Sequence, residues 1–470
     1  MSEKTKAELL KEQLCYSSKN AGYALATEKI AKADAYCEGY MHYLDNAKTE
    51  REAVTEAIRL AEQKGFRPYR RGDALKAGDK VYVNNRGKSL FLAVIGTNPI
   101  EEGVSIAAAH IDSPRLDLKP NPLYEDGELA YFDTHYYGGI KKYQWVAIPL
   151  SLHGVLVKKD GTQVTVAIGD DPTDPVFCVT DLLPHLAADQ MKRSASEIVK
   201  GEDLNILIGS RPFMGDECSE SVKLNMLNIL FEKYGVVEAD FLSAELEAVP
   251  AYSARDLGFD RSMIGAYGHD DRVCAYPALT AIFDLKNPAY TALTVLADKE
   301  EVGSDGNTGM QSAALANFVG DLAAAFGAEG RHVLQNSLCL SADVNVAFDP
   351  IYPEVVEKRN CASLNHGVVL TKYTGARGKS GTSDASAELM AFFRRNMDEN
   401  EVLWQVGELG RVDIGGGGTV AKYIANLDVN TVDLGVPVLS MHAPLEIVSK
   451  TDVYMAHKAF LALLSRNDAL

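Results

Sequence analysis

The run Thr294-Val-Leu-Ala-Asp-Lys-Glu-Glu-Val-Gly-Ser304 constrains this chain more than any other stretch. Residues 290–297 are apolar and partly β-branched, the composition of a buried strand, and they lead straight into Asp298, Lys299, Glu300 and Glu301. Open α/β sheets place ligands outside the carboxyl ends of their strands. Two adjacent carboxylates there repel each other unless a cation or a proton relieves them. A hydrolase can use both, one Glu on a metal and its neighbour as base. The plain alternative is a solvated acidic loop, and other parts of the chain have to decide between the two.

A chain of 470 residues, 46% hydrophobic and 24% charged, is long enough for two or three folding units with a large core. Its net charge of −18 argues against a nucleic-acid partner. The seven cysteines (15, 37, 178, 218, 274, 339 and 361) are scattered, with no C-x-x-C, as expected in a reducing compartment. Met1 to Lys6 is polar and no 18-residue apolar run follows, so a cytoplasmic location without a membrane partner is expected.

Residues 1–65 read as helical, with a capping box at Thr49 and Glu52, an apolar face of Val54, Ala57, Ile58 and Ala61, and a stop at Gly65. Strands are expected at 80–84, 89–97 and 103–111, the last ending in His110-Ile-Asp112-Ser-Pro-Arg115. From about 120 to 254 the pattern turns β-like: 146–158 and 162–168 alternate around Lys159-Asp160-Gly161, and 237–249 adds a strand. Only 219–234 looks clearly helical there. After about 255 the strand–helix alternation returns. The expected fold is α/β: a first part at 1–119, a β-rich insert at 120–254, and a second part at 255–470.

His110 and Asp112 stand two apart at a strand end, so Asp112 is placed to accept from the ring nitrogen that a ligating His leaves free. Gly268-His-Asp270-Asp271-Arg272 precedes a helical run at 273–283, where an acidic pair serves either as N-cap and first-turn charge or as a carboxylate between two metals. Asp343 follows the apolar strand 337–340, and His442 follows 436–439. Five separate element ends thus carry His110, Asp270, Glu300/Glu301, Asp343 and His442. Two His with three or four carboxylates suit Zn²⁺, Co²⁺ or Mn²⁺.

Together, Ala109-His110-Ile-Asp112-Ser-Pro114, Gly268-His-Asp270-Asp-Arg272, Asp298-Lys-Glu300-Glu301-Val-Gly303-Ser, Ser341-Ala-Asp343 and Ser440-Met-His442 resemble the aspartyl aminopeptidase / aminopeptidase I family of di-zinc metallopeptidases. The resemblance implies a mixed-sheet zinc-peptidase domain flanked by helices. It implies that His110 and Glu301 hold separate metals, completed by Asp343 and His442, with Asp270 bridging, Glu300 as general base and Asp112 orienting His110. It also implies that the insert is a dimerisation domain and that dimers build a tetrahedral dodecamer. His185, in Asp181-Leu-Leu-Pro-His185-Leu, matches the segment whose His reaches a neighbouring subunit's active site, and Gly417 and Thr419 lie in the family's substrate loop.

The loop from Lys372 to Asp384 departs from the shorter loop of eukaryotic members, so side-chain selectivity is expected there. Lys372, Arg377 and Lys379 offer cations to a substrate carboxylate, or else are simply solvated. The expected reaction is hydrolysis of the N-terminal bond of small peptides, with two divalent ions activating a bridging water and Glu300 moving its proton. A di-metal deacylase or carboxypeptidase would use the same ligand types, and a scaffold that kept only the fold would have lost a ligand or the base.

Overall fold

Strands covered on both faces read as unbroken apolar runs. Ser89–Val94, Val104–His110 and Thr291–Ala297 are buried at every position. In the computed structural model, which describes residues 4–215, 218–375 and 377–470, these strands form the middle of a nine-stranded sheet. Residues 1–3 of the expected N-terminal helical stretch, 216–217 of the expected insert and Ala376 of the basic loop lie outside the described residues.

The nine strands run Arg67–Pro68, Lys80–Asn85, Ser89–Val94, Thr291–Ala297, Val104–His110, Leu338–Ala342, Asn430–Gly435, Val368–Thr371 and Trp404–Val406. Thr291–Ala297, Val104–His110, Leu338–Ala342 and Asn430–Gly435 are mutually parallel, so their carboxyl ends share one edge. Side chains alternate between faces. Leu90, Leu92, Ala107 and Ala109 join the core under the helices Thr27–Asn46, Glu50–Gln63, His269–Phe283, Ala387–Glu399 and Lys450–Leu464. Phe91, Ala93, Ile106 and Ala108 face the helices Ala314–Ala325 and Gly330–Gln335 on the other side. Glu50–Gln63 begins with the expected reciprocal cap between Thr49 and Glu52.

A separate antiparallel sheet has seven strands in the order Gln163–Ile168, Leu150–Val157, Ala244–Pro250, Arg115–Asp126, Leu129–Tyr137, Ile206–Gly209 and Cys178–Val179. It has its own core around Leu116, Trp145, Phe241 and Val249, against which the helix Ser221–Tyr234 packs. This sheet starts at Arg115, earlier than the change at 120 that composition suggests. The strand expected at 237–249 is shorter: Glu238–Ser243 is a 3-10 turn and only Ala244–Pro250 is extended. The Asp240 carboxylate accepts the Val237 amide at 3.0 Å, which closes that turn. A third sheet, of five strands, includes Met263–Ala266, Glu446–Ser449 and Pro437–Leu439, in that order, so the strands before Asp270 and His442 flank Glu446–Ser449 on its two sides. Among the described residues no helix is long and apolar enough to cross a membrane.

Candidate metal centre

His110 is the last residue of Val104–His110, and Glu300 and Glu301 open a 3-10 turn just after Thr291–Ala297. Asp343 follows Leu338–Ala342. These strands are parallel, so all of these side chains reach the same edge. The helix His269–Phe283 delivers Asp270 from its first turn, where the backbone is not yet helical. Its N-cap is Gly268 with no side-chain cap bond, so neither acid of the pair is that cap, and both stand in the first turn. His442 follows Pro437–Leu439 with φ +64°.

The geometry pairs these groups around one shared carboxylate. His110 Nε2 lies 3.2 Å from Asp270 Oδ1 and 3.7 Å from Asp343 Oδ1. His442 Nε2 lies 3.1 Å from Asp270 Oδ2 and 3.5 Å from Glu301 Oε2. Two donor triads result, His110–Asp270–Asp343 and Asp270–Glu301–His442, with the ligand atoms of each within 4.8 Å of one another. His110 Nε2, Asp270 Oδ1 and Glu301 Oε1 are buried without a hydrogen-bond partner. Orphaned buried polar atoms are rare unless an ion or water serves them. A mixed imidazole and carboxylate set of this kind fits zinc.

The electrostatics of the chain alone carry the same tension. Burial, then the Asp343 charge, pushes Glu300 up to about 8. Burial and Asp270 also raise Glu301 well above the usual carboxylate range. Burial opposes the charged form of His442, yet Asp270 and Glu301 hold it up at about 11. His110 is raised in the same way against burial by Asp112, Asp270 and Asp343. Burial opposes ionisation of Asp270, but the two imidazoles keep it below its ordinary value. Cations in the triads would relieve the crowded carboxylates.

Asp112 backs His110 as its spacing suggests: His110 Nδ1 lies 3.0 Å from the Asp112 carbonyl and 3.3 Å from its carboxylate. Sequence reasoning missed three partners. Glu446, from Glu446–Ser449, accepts the amides of Asp270 at 3.1 Å and His442 at 2.7 Å. The Gly139 carbonyl accepts from His442 Nδ1 at 2.8 Å, and the Tyr137 hydroxyl donates to Asp112 at 2.8 Å. Only Glu446 left a trace in the sequence, an acid four residues after His442 at a buried strand start.

Such a shared-acid arrangement can be compared with known proteins. The family model described as "Aminopeptidase I zinc metalloprotease (M18)" matches residues 43–463. This chain belongs to the M18 aminopeptidase family. It is a zinc aminopeptidase, a hydrolase of the metallopeptidase class. A relative from Clostridium acetobutylicum, described as a probable M18 family aminopeptidase 1, is 52% identical and covers 97% of this chain and 99% of its own. The crystal structure of an M18 aminopeptidase from Thermotoga maritima superposes with a TM-score of 0.91 at 45% identity, covering 96% of this chain and 99% of that one. A structure of the S. cerevisiae mApe1 dodecamer shares the fold at a TM-score of 0.74 and 21% identity, covering 91% of this chain and 95% of that one.

The remaining expected site residues belong to neither triad. Among the described residues, exposed His185 makes no hydrogen bond or ion pair with the centre. Lys372 and Lys379 both pair with Asp384, the latter at 2.9 Å, and Lys379 also lies 3.8 Å from the Tyr373 ring centroid. Arg377 lines a small cleft with Tyr373, Glu408 and Arg411. The Gly417 amide donates to Thr374 at 2.9 Å, which ties the glycine loop to the basic loop. Thr419 donates to buried Asp433 at 2.6 Å, and burial pushes that acid up to about 7.

Proposed function

We propose that this aminopeptidase removes the N-terminal residue of short peptides with two divalent ions, one per triad, and Glu300 as general base. The observation that carries the reading is Asp270, one carboxylate offering an oxygen to each triad. His110 and Asp343 would hold one zinc, and Glu301 and His442 the other. When bound, the ions supply Lewis acidity and make a water acidic enough to attack. Glu300 takes a proton from the water and returns it to the leaving amine, a role suited to a carboxyl that burial makes readier to hold a proton. Asp112 and the Gly139 carbonyl keep the two imidazoles aimed inward.

The seven-stranded sheet is read as the dimerisation unit of a homo-oligomer, assembled as a tetrahedral dodecamer. Its exposed Leu182, Leu183, Leu186 and Met191 support this, since they flank His185 with apolar surface that a partner would cover. His185 would then act in the partner's site as an oxyanion donor. Gly417 and Thr419 border the substrate, and a substrate carboxylate at Lys372, Arg377 or Lys379 would have to compete with Asp384. Seven unpaired cysteines support a cytoplasmic setting.

The test is a panel of aminoacyl-p-nitroanilides beside N-acyl amino acids, with zinc-loaded protein. Turnover of the anilides alone is expected, and turnover of the N-acyl substrates alone would replace the reading with a deacylase. For the assembly, exchanged mixtures of Glu300→Gln and His185→Ala protein should exceed the summed parental activities. No gain after proven subunit exchange would remove His185 from the partner's site.

A further inference from the structure

Asp112 does more than face His110. Its Oδ1 accepts the Glu300 amide at 3.1 Å and lies 3.3 Å from His110 Nδ1. Its Oδ2 accepts the Glu301 amide at 3.2 Å and the Tyr137 hydroxyl at 2.8 Å. Three donors thus hold the carboxylate, while the hydrogen bond of the nearby His110 Nδ1 goes to the Asp112 carbonyl at 3.0 Å. Two of the donors are amides of the turn that carries the candidate ligand and base. The third comes from another sheet, at the last residue of Leu129–Tyr137.

The tyrosine is itself anchored. The Arg115 guanidinium stacks on its ring at 4.0 Å from the centroid. Arg115 is clamped by Glu50 at 3.1 Å, Asp117 at 2.8 Å and Glu247 at 3.2 Å. Burial and the facing Asp112 push the phenol up, so its hydroxyl is a donor at any working pH.

We propose that Tyr137 is a positioning residue whose hydroxyl fixes the Asp112 carboxylate in the orientation that holds His110 and the Glu300–Glu301 backbone together. The seven-stranded sheet thereby completes the metal centre within its own chain, whatever it does between chains. This rests on the two-ion reading of the triads. A donor to the group behind a ligating His tunes the metal through that group, and loss of such partners costs on the order of 10–100-fold in metal affinity or activity.

Tyr137→Phe keeps the ring on Arg115 and removes only the hydroxyl. Zinc affinity is measured on metal-stripped protein by competition with a chromophoric chelator, alone and in an Asp112→Asn background. Tyr137→Phe should weaken zinc by roughly 10-fold or more, lower kcat with KM unchanged, and add nothing once Asp112 is Asn. Tyr137→Met, which keeps bulk without a donor, should repeat the loss and serves if the Phe variant does not fold. Wild-type zinc affinity in the folded variants would overturn the inference, as would an equal loss in both backgrounds. Failure of the two-ion reading would show separately, as a wild-type chain binding fewer than two zinc ions.

Discussion

The two halves of the centre share Asp270 and differ in almost everything else. In the His110 half the imidazole has no exposed surface and its outer nitrogen lies 3.0 Å from the Asp112 carbonyl and 3.3 Å from its carboxylate, while Asp343 is 15% exposed. In the His442 half the imidazole is 33% exposed with its outer nitrogen on the Gly139 carbonyl, while the Glu301 side chain is buried. Charges interact more strongly in a low-dielectric interior than beside water. On the proposed two-ion reading, the partly exposed His442 imidazole makes its half the open one and the buried His110 imidazole makes the other the sheltered one. Glu300 sits in the field of Asp343 and His110, whereas Glu301 faces Asp270 and His442. The strongest charged neighbours of the two thus differ, although both carboxyls also feel His110 and Asp270.

The largest effect expected from that division is chemical. Glu300→Gln should lower kcat by at least ~10³-fold with both zinc ions retained, because a general base is lost and a ligand is not. Glu301→Gln should lose the open-side ion. Elemental analysis of both proteins decides it, and a zinc-free Glu300→Gln would reverse the assignments.

Next comes the stability of the metal-free chain. His110→Ala leaves buried Asp112 and Asp270 and half-buried Asp343 around a missing partner, and stripping one partner from a buried ionic group costs about 3–5 kcal/mol. His442→Ala opens a half that water already reaches, so a smaller loss is expected. Urea unfolding of both metal-free variants reads the difference, and equal losses would erase the distinction between the halves.

Protons sharpen the same point. His442 is raised to about 11 in the chain alone, against about 6.5 when unfolded. Its contribution to stability is fully present below that unfolded value and is lost as pH rises through about 11. Zinc entering at neutral pH must displace this proton and that of His110, which is raised too. A zinc titration in weak buffer should therefore acidify the solution, and activity should fall below about pH 6 as protons win back the imidazoles. Zinc uptake with no proton release would contradict the charged state of both rings.

The convergence of His110, Asp270, Glu300, Glu301, Asp343 and His442 was legible because each follows an apolar run or opens a helix, where a parallel sheet presents its edge. Which Glu faces which half was not legible, since adjacent residues share one spacing and only the turn after Ala297 separates them. Tyr137 and Gly139 were invisible for another reason. Gly139 is 303 residues from His442, and a backbone carbonyl carries no side-chain signature. The stretch 237–249 looked like one strand, but the Asp240 carboxylate on the Val237 amide turns the chain at its start.

The smallest effect isolates the open half. Gly138 has φ +75°, and a Cβ there would lie 3.2 Å from Glu301 Oε2. Gly127, in the turn at the other end of the strand Leu129–Tyr137, has φ +57° with nothing within 4 Å of a built Cβ. Alanine at either site places an L-residue in the left-handed region, costing about 1–2 kcal/mol. Only Gly138→Ala also pushes on the Glu301 carboxylate. Both variants should therefore unfold at similarly reduced denaturant concentrations, while only Gly138→Ala weakens the second zinc and neither alters the first. Stepwise zinc titration of the two proteins compares them directly. If Gly127→Ala weakens the second zinc as much, the effect comes from strain in the sheet and the Gly138 contact with Glu301 does not govern the open half.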